Sequence, residues 1–192
     1  MLVIEEAAPA HFDELAALFE ACGSPCYCRY WHFSGTKNDW IERCALHSDE
    51  NRRELQVALA HRDDSARGLV AVDDAALVGW MKLAPRASLP KLRRLPVYRA
   101  HDLGPDEGVL SIGCFLVHPE HRKKGVARAL VRHACEIARH RGAAIVEAYP
   151  HVIDRAMYDE EAWMGPASIF TSEGFTQDAG ELPYPVLRFR VS

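Results

Sequence analysis

Apolar and polar positions along the chain predict an alternation of strands and helices. Leu2–Glu5 reads as a short strand. Pro9 then opens a helix whose apolar positions Phe12, Leu15, Ala16, Leu18 and Phe19 keep helical spacing up to Gly23. Ser24–Trp40 has no period and is rich in aromatic residues (Tyr27, Tyr30, Trp31, Phe33, Trp40), so a loop is expected there. A second helix is predicted from Asp49 to about His61, carrying Leu55, Val57, Ala58 and Leu59. Gly68–Val72 and Ala76–Leu83 read as a hairpin turned at Asp73-Asp74. From Pro85 to Pro105 the pattern breaks down, and an irregular segment is expected.

The clearest pattern begins at Val109. The run VLSIGCFLV is apolar at both alternating sets of positions, as in a central strand covered on two faces. It ends at His118-Pro119, and Arg122-x-x-Gly125-x-Ala127 follows. A helix comes next, with one stripe formed by Val126, Leu130, His133/Ala134 and Ile137, and Gly142 ends it. Ala143–Tyr149 is the next strand, Gly165–Glu173 a short helix capped by Gly174, and Val186–Val191 a final strand. A buried strand that feeds a glycine-containing loop and a helix start is suited to holding phosphate groups. The first N–H groups of a helix lack intrahelical partners, and its dipole places roughly half a positive charge there.

Composition narrows the picture. The 192 residues are 48% hydrophobic and 26% charged, which fits a single domain spanning 1–192 with a full core. A net charge of −4 gives no basic footprint for nucleic acid. The acidic start MLVIEEAAPAHFDEL lacks the basic-then-apolar order of a signal peptide, and no apolar stretch approaches the ~20 residues of a membrane helix. A cytoplasmic protein that engages neither membrane nor nucleic acid is expected. Six cysteines are then read as reduced thiols, because Cys26-x-Cys28 is too tight for a zinc knuckle and no second pair follows. No metal is expected.

Residues Cys114–Ala127, with ALVRHACEIARHRGAAIVEAYP after them, resemble the acyl-CoA-binding core of the GNAT superfamily of N-acetyltransferases. Arg122-Lys123-Lys124-Gly125-Val126-Ala127 satisfies that superfamily's Arg/Gln-x-x-Gly-x-Gly/Ala pattern. Gly79-Trp80 in the third strand and Ile169-Phe170-x-x-x-Gly174-Phe175 near the end match as well. Cys26-x-Cys28-x-x-Trp31, Glu147-x-Tyr149-Pro150 and Gly165-x-x-Ser168-x-Phe170-x-x-x-Gly174-Phe175 are similar to a bacterial subgroup without an agreed substrate. The resemblance implies an α/β fold: a central twisted mixed sheet with helices on both faces and splayed central strands. It implies acetyl-CoA as acyl donor. Phe115, Leu116 and Val117 would face the pantetheine arm with their backbone, and Arg122, Lys123, Lys124, Gly125, Val126 and Ala127 would wrap the pyrophosphate.

Transfer of an acetyl group to an amine requires a base for the ammonium, polarisation of the carbonyl and a proton for the departing thiolate. Many GNAT enzymes place a tyrosine where this chain has Phe170. Glu147 and Tyr149, two apart on a strand, face the same way and are candidate base and acid. The alternative is that Glu147 pairs with an arginine and Tyr149 packs. Tyr158 is a second candidate acid. Tyr27, Cys28 and Trp31, with Tyr30 and Trp40, are candidates to line the acceptor site, or else to pin a long loop down. The run Lys82, Arg86, Lys91, Arg93, Arg94 and Arg99 contains no acidic residue; it would steer an anion or simply be solvated. The expected function is acetyl transfer to the primary amine of a small molecule. A protein lysine or N-terminus as acceptor, and a non-catalytic acyl-CoA-binding or thiol- or metal-sensing module, are the alternatives. A homodimer is compatible with each of them.

Overall fold

The computed structural model describes residues 1–154 and 162–191. The strands are β1 (Leu2–Glu6), β2 (Gly68–Asp73), β3 (Ala76–Pro85), β4 (Val109–Val117), β5 (Ile145–Ala148), β6 (Thr176–Ala179) and β7 (Val186–Arg190). They form one sheet in the order β1-β2-β3-β4-β5-β7-β6. The β4–β5 pair is parallel, while the other pairs run antiparallel. The helices are α1 (Phe12–Ala21), α2 (Lys37–Leu46), α3 (Ser48–Ala60), α4 (Pro96–Arg99), α5 (Val126–His140) and α6 (Ala167–Thr171). The mixed α/β architecture expected from the sequence is the one observed.

Strand alternation sorts the core into two layers. Leu69, Ala71, Met81, Ile112, Phe115, Val146 and Ala148 meet the buried stripe of α5. On the opposite face Val70, Trp80 and Cys114 meet Leu15, Leu18 and Phe19 of α1 and Leu55 and Leu59 of α3. The stripe of α5 is wider than the sequence period alone indicates, because Val131, Cys135 and Ala138 are buried beside Val126, Leu130, Ala134 and Ile137. Leu130 and Val131 are fully covered. Burial of each is worth ~1.5–3 kcal/mol.

Several elements differ from expectation; α6 for one is shorter than Gly165–Glu173. The stretch read as a loop to Trp40 already contains the start of α2. There Thr36 accepts the Asp39 N–H and Asp39 accepts the Thr36 N–H, a reciprocal cap. No α2 residue is buried, and Ile41 and Leu46 stand exposed, so apolar period gives no signal for it. The polar strand β6 is largely exposed and has no apolar alternation to signal it, and β5 is shorter than Ala143–Tyr149. The segment after β3, expected to be irregular, holds the short helix α4 and packs: Leu89, Leu92, Tyr98 and Leu103 are buried with Trp31, Tyr149 and Val186 in a third cluster. No helix among the described residues is long and apolar enough to cross a membrane.

Candidate active site

The parallel strands at the centre of the sheet part company. β5 pairs with β4 from Val109↔Ile145 to Ile112↔Ala148, and β4 then continues to Val117 alongside β3 alone. Among the described residues the β5-facing edge of Gly113–Val117 therefore has no strand partner. A bulge lies where the strands diverge. Met81 pairs with Phe115 and Leu83 with Ile112, so Gly113 and Cys114 together oppose Lys82. The Trp31 indole N–H donates to the Gly113 carbonyl at 2.9 Å. A Cβ at position 113 would come 2.9 Å from that indole nitrogen and 3.0 Å from the Lys82 stem, so this close approach admits only glycine.

Beyond β4 the chain turns into α5. His118 caps a short turn by accepting the Glu120 N–H, and Arg122 Nε donates to the Val117 carbonyl at 3.2 Å, pinning the turn to the strand end. Lys123 (φ +60) and Gly125 (φ +86) both take the left-handed conformation. Gly125 sits at the N-cap of α5, and a Cβ there would meet no atom within 4 Å. Lys123, Lys124 and Gly125 are exposed, whereas the Val126 side chain is buried and Ala127 is half-buried. The turn thus presents backbone N–H groups and cationic side chains to open space. Phe115 packs on Phe170 with ring centroids 5.8 Å apart, and Leu116 and Val117 are partly exposed. Phe170 is buried against Phe115 and Phe175, and its own ring carries no hydroxyl.

The proposed acceptor side chains Tyr27, Cys28 and Trp31 are all buried. Tyr27 stacks on Phe19 at 5.0 Å, in the cluster that also contains Cys114. Cys28 Sγ lies 2.6 Å from Cys114 Sγ, and Trp31 is buried on Gly113. Tyr30, Phe33 and Trp40 surround the Lys91 ammonium, which sits 4.2, 5.3 and 5.9 Å from their ring centroids. This aromatic wall clamps the irregular segment after β3.

Glu147 and Tyr149 share a face, as their spacing requires, and they touch: the Tyr149 hydroxyl donates to Glu147 Oε1 at 2.5 Å. Arg86 Nη1 lies 3.1 Å from both Glu147 oxygens, and Arg188 Nε donates to Oε2 at 2.6 Å. Ser111 Oγ bonds the Tyr149 hydroxyl at 2.7 Å. Burial, and then the neighbouring Glu147 carboxylate, push the Tyr149 phenol well above its ordinary value, so it stays protonated. The arginine pairing foreseen as the alternative reading of Glu147 is thus present. Tyr158 lies outside the described residues.

The basic run divides between the interior and the surface, with Arg93, Arg94 and Arg99 exposed. Lys82 and Arg86 are buried, Arg86 and Arg93 both bond Asp106, and Lys91 occupies the aromatic clamp. A surface cavity of about 520 Å³ is lined by residues including Arg29, Arg43, Glu50, Arg53, Glu54 and His61, none of which belongs to the fork between β4 and β5. Among the described residues no group of three or more His, Cys, Asp or Glu side chains is placed to hold a metal ion.

Residues 25–162 match the sequence model of the acetyltransferase (GNAT) family. No curated protein matches the chain in sequence. Similar solved structures include the PaiA N-acetyltransferase of Thermoplasma acidophilum in complex with coenzyme A, at 12% identity over 99% of both chains and a TM-score of 0.57. A GCN5-related N-acetyltransferase from Kribbella flavida is 18% identical over 98% of this chain and 97% of its own, with a TM-score of 0.58. The GNAT-family protein YhbS of Escherichia coli, in complex with CoA, is 16% identical over 100% of this chain and 82% of its own, with a TM-score of 0.55.

Proposed function

Because the chain belongs to the acetyltransferase (GNAT) family, we propose that it transfers the acetyl group of acetyl-CoA directly to the primary amine of a small molecule. The observation that carries this reading is the parting of β4 and β5 beside the start of α5, with open space in front of Gly125. In this reading the pantetheine arm lies along Phe115, Leu116 and Val117 as an added strand. The pyrophosphate meets the N–H groups of Val126 and Ala127, and Lys123 and Lys124 add charge. The coenzyme A present in the PaiA and YhbS structures supports the same donor class.

The amine attacks the thioester carbonyl as the free base, its ammonium proton having gone to solvent. The oxyanion is held by a main-chain N–H of the β4 edge, the C–S bond breaks, the nitrogen loses its extra proton to water, and the departing thiolate is protonated to leave as CoA thiol. One such N–H is typically worth about 10²–10³ in rate. Glu147 is assigned a positioning role in place of the expected base. Both its oxygens are engaged by Arg86, Arg188 and Tyr149, which supports holding β5 against β4 up to the fork. Tyr149 supports the same network through Ser111. Tyr158 stays the proposed acid for the departing thiolate.

The acceptor side favours a small molecule, because Trp31 and the loop that carries it cover the bulge. The test is release of free CoA thiol from acetyl-CoA against a panel of small primary amines and, in parallel, lysine-bearing peptides. Acceptor-dependent release with at least one small amine is expected. Release with peptides alone would overturn the small-molecule assignment.

A further inference from the structure

Two thiols far apart in sequence meet beneath the bulge. Cys28 follows α1 and Cys114 lies in the bulge itself, yet their sulfur atoms are 2.6 Å apart, well inside the sum of two sulfur van der Waals radii. Both side chains are buried. Tyr27 (φ +43) and Cys28 (φ +57) are consecutive left-handed, non-glycine residues. Such backbone is unfavourable and persists only where its surroundings impose it. Here it delivers the Cys28 thiol onto Cys114.

The charge around the pair explains why a thiolate is tolerated there. Lys82 is buried, and its Nζ donates to the Ser65 carbonyl at 2.7 Å; the same carbonyl accepts Arg29 Nη1 at 3.0 Å. Burial pushes the Lys82 ammonium below its usual value, while the two cysteine sulfurs pull it back. Burial also opposes a thiolate at Cys28, but the Cys114 thiol and the Lys82 ammonium outweigh it and bring Cys28 below the ordinary thiol range. Cys114 is correspondingly raised, by burial first and then by Cys28. One thiolate facing one thiol is the arrangement from which disulfides form.

We propose that Cys28 and Cys114 are a reversible redox pair, oxidised by a hydroperoxide to a disulfide that ties the loop after α1 to the β4 bulge. The Cys28 thiolate attacks the terminal peroxide oxygen, the O–O bond breaks, and an alcohol (or water, from hydrogen peroxide) leaves with a Cys28 sulfenic acid remaining. The Cys114 sulfur then attacks Cys28 Sγ; the S–S bond forms, and the departing hydroxide takes the Cys114 proton as water. Two thiols lose two protons and two electrons, and the peroxide takes both. A dithiol reverses the reaction by exchange. Phe115 follows Cys114 on the same strand edge, so on the donor reading above the linkage also bears on that edge.

The test uses the intact chain and does not depend on acetyl transfer. Reduced protein is treated with hydrogen peroxide, denatured, alkylated and weighed. Of the six cysteines, four are expected to be alkylated after oxidation and all six after dithiothreitol, with a Cys28–Cys114 linked peptide found by tandem mass spectrometry. In Cys135→Ser the same linkage is expected, and in Cys28→Ser it is lost. Six alkylated cysteines after peroxide, or a linkage between other cysteines, would overturn the assignment.

Discussion

Arg86 and Glu147, 61 residues apart, form a buried ion pair in which one guanidinium nitrogen lies 3.1 Å from each carboxylate oxygen. Their side chains are 1% and 0% exposed. Arg86 also donates to the carbonyls of Leu103, Gly104 and Pro105, so the pair fastens the segment before β4 to β5.

Removing the carboxylate leaves Arg86 with Asp106 and Arg188 with Asp178 as their remaining carboxylate partners. Glu147→Ala is expected to cost about 3–5 kcal/mol, the usual penalty for deleting one partner of a buried ion pair. For a chain of this size the melting midpoint should fall by roughly 6–20 °C. Scanning calorimetry checks it. Glu147→Gln, which keeps the shape, should lose less stability and retain measurable acetyl transfer. A folded Glu147→Gln protein without any activity would return Glu147 to the role of base.

Gly125 carries a different expectation. Its left-handed φ of +86° disfavours any side chain, but nothing surrounds it that a Cβ would strike. Gly125→Val should therefore cost only ~1–3 kcal/mol of stability, the price of one left-handed side chain. Its effect on the donor should be larger, a 10-fold or greater loss of affinity for CoA measured by isothermal titration, because the valine fills the space in front of the α5 N–H groups.

His32 gives a pH dependence whose sign follows from its surroundings. Burial first, then the Lys82 and Arg29 charges, bring its imidazole down to about 3. The unfolded chain takes up this proton near pH 6.5. The contribution of neutral His32 to stability is therefore complete above pH 6.5 and is lost progressively as pH falls toward 3. Urea unfolding of the wild type and His32→Asn at several pH values checks this: the wild type should lose stability more steeply over that window.

The elements proposed to hold the donor are legible in the sequence, whereas the contacts around Trp31 and Cys28 are not. The nine apolar residues of β4, the glycine turn and the stripe of α5 are local patterns, legible because burial and helix period are written in adjacent residues. The cap at Thr36 was missed because its partner is Asp39 in place of the usual glutamate or glutamine, and because α2 buries nothing. The contacts Arg86–Glu147 and Cys28–Cys114 join residues 61 and 86 positions apart. No local period reports such distances; only the order of the strands does. Likewise the two-residue spacing of Glu147 and Tyr149 gave their shared face correctly but not the arginines waiting on it.

Acetyl-CoA binding along β4 and at the start of α5 is tested most directly by thermal unfolding with and without this ligand. At 100-fold over its dissociation constant the donor stabilises the folded chain by about 2.7 kcal/mol. That is expected to raise the melting midpoint by roughly 5–10 °C in the wild type, and by much less in Gly125→Val at the same concentration. An unchanged midpoint up to millimolar acetyl-CoA and CoA would contradict the account.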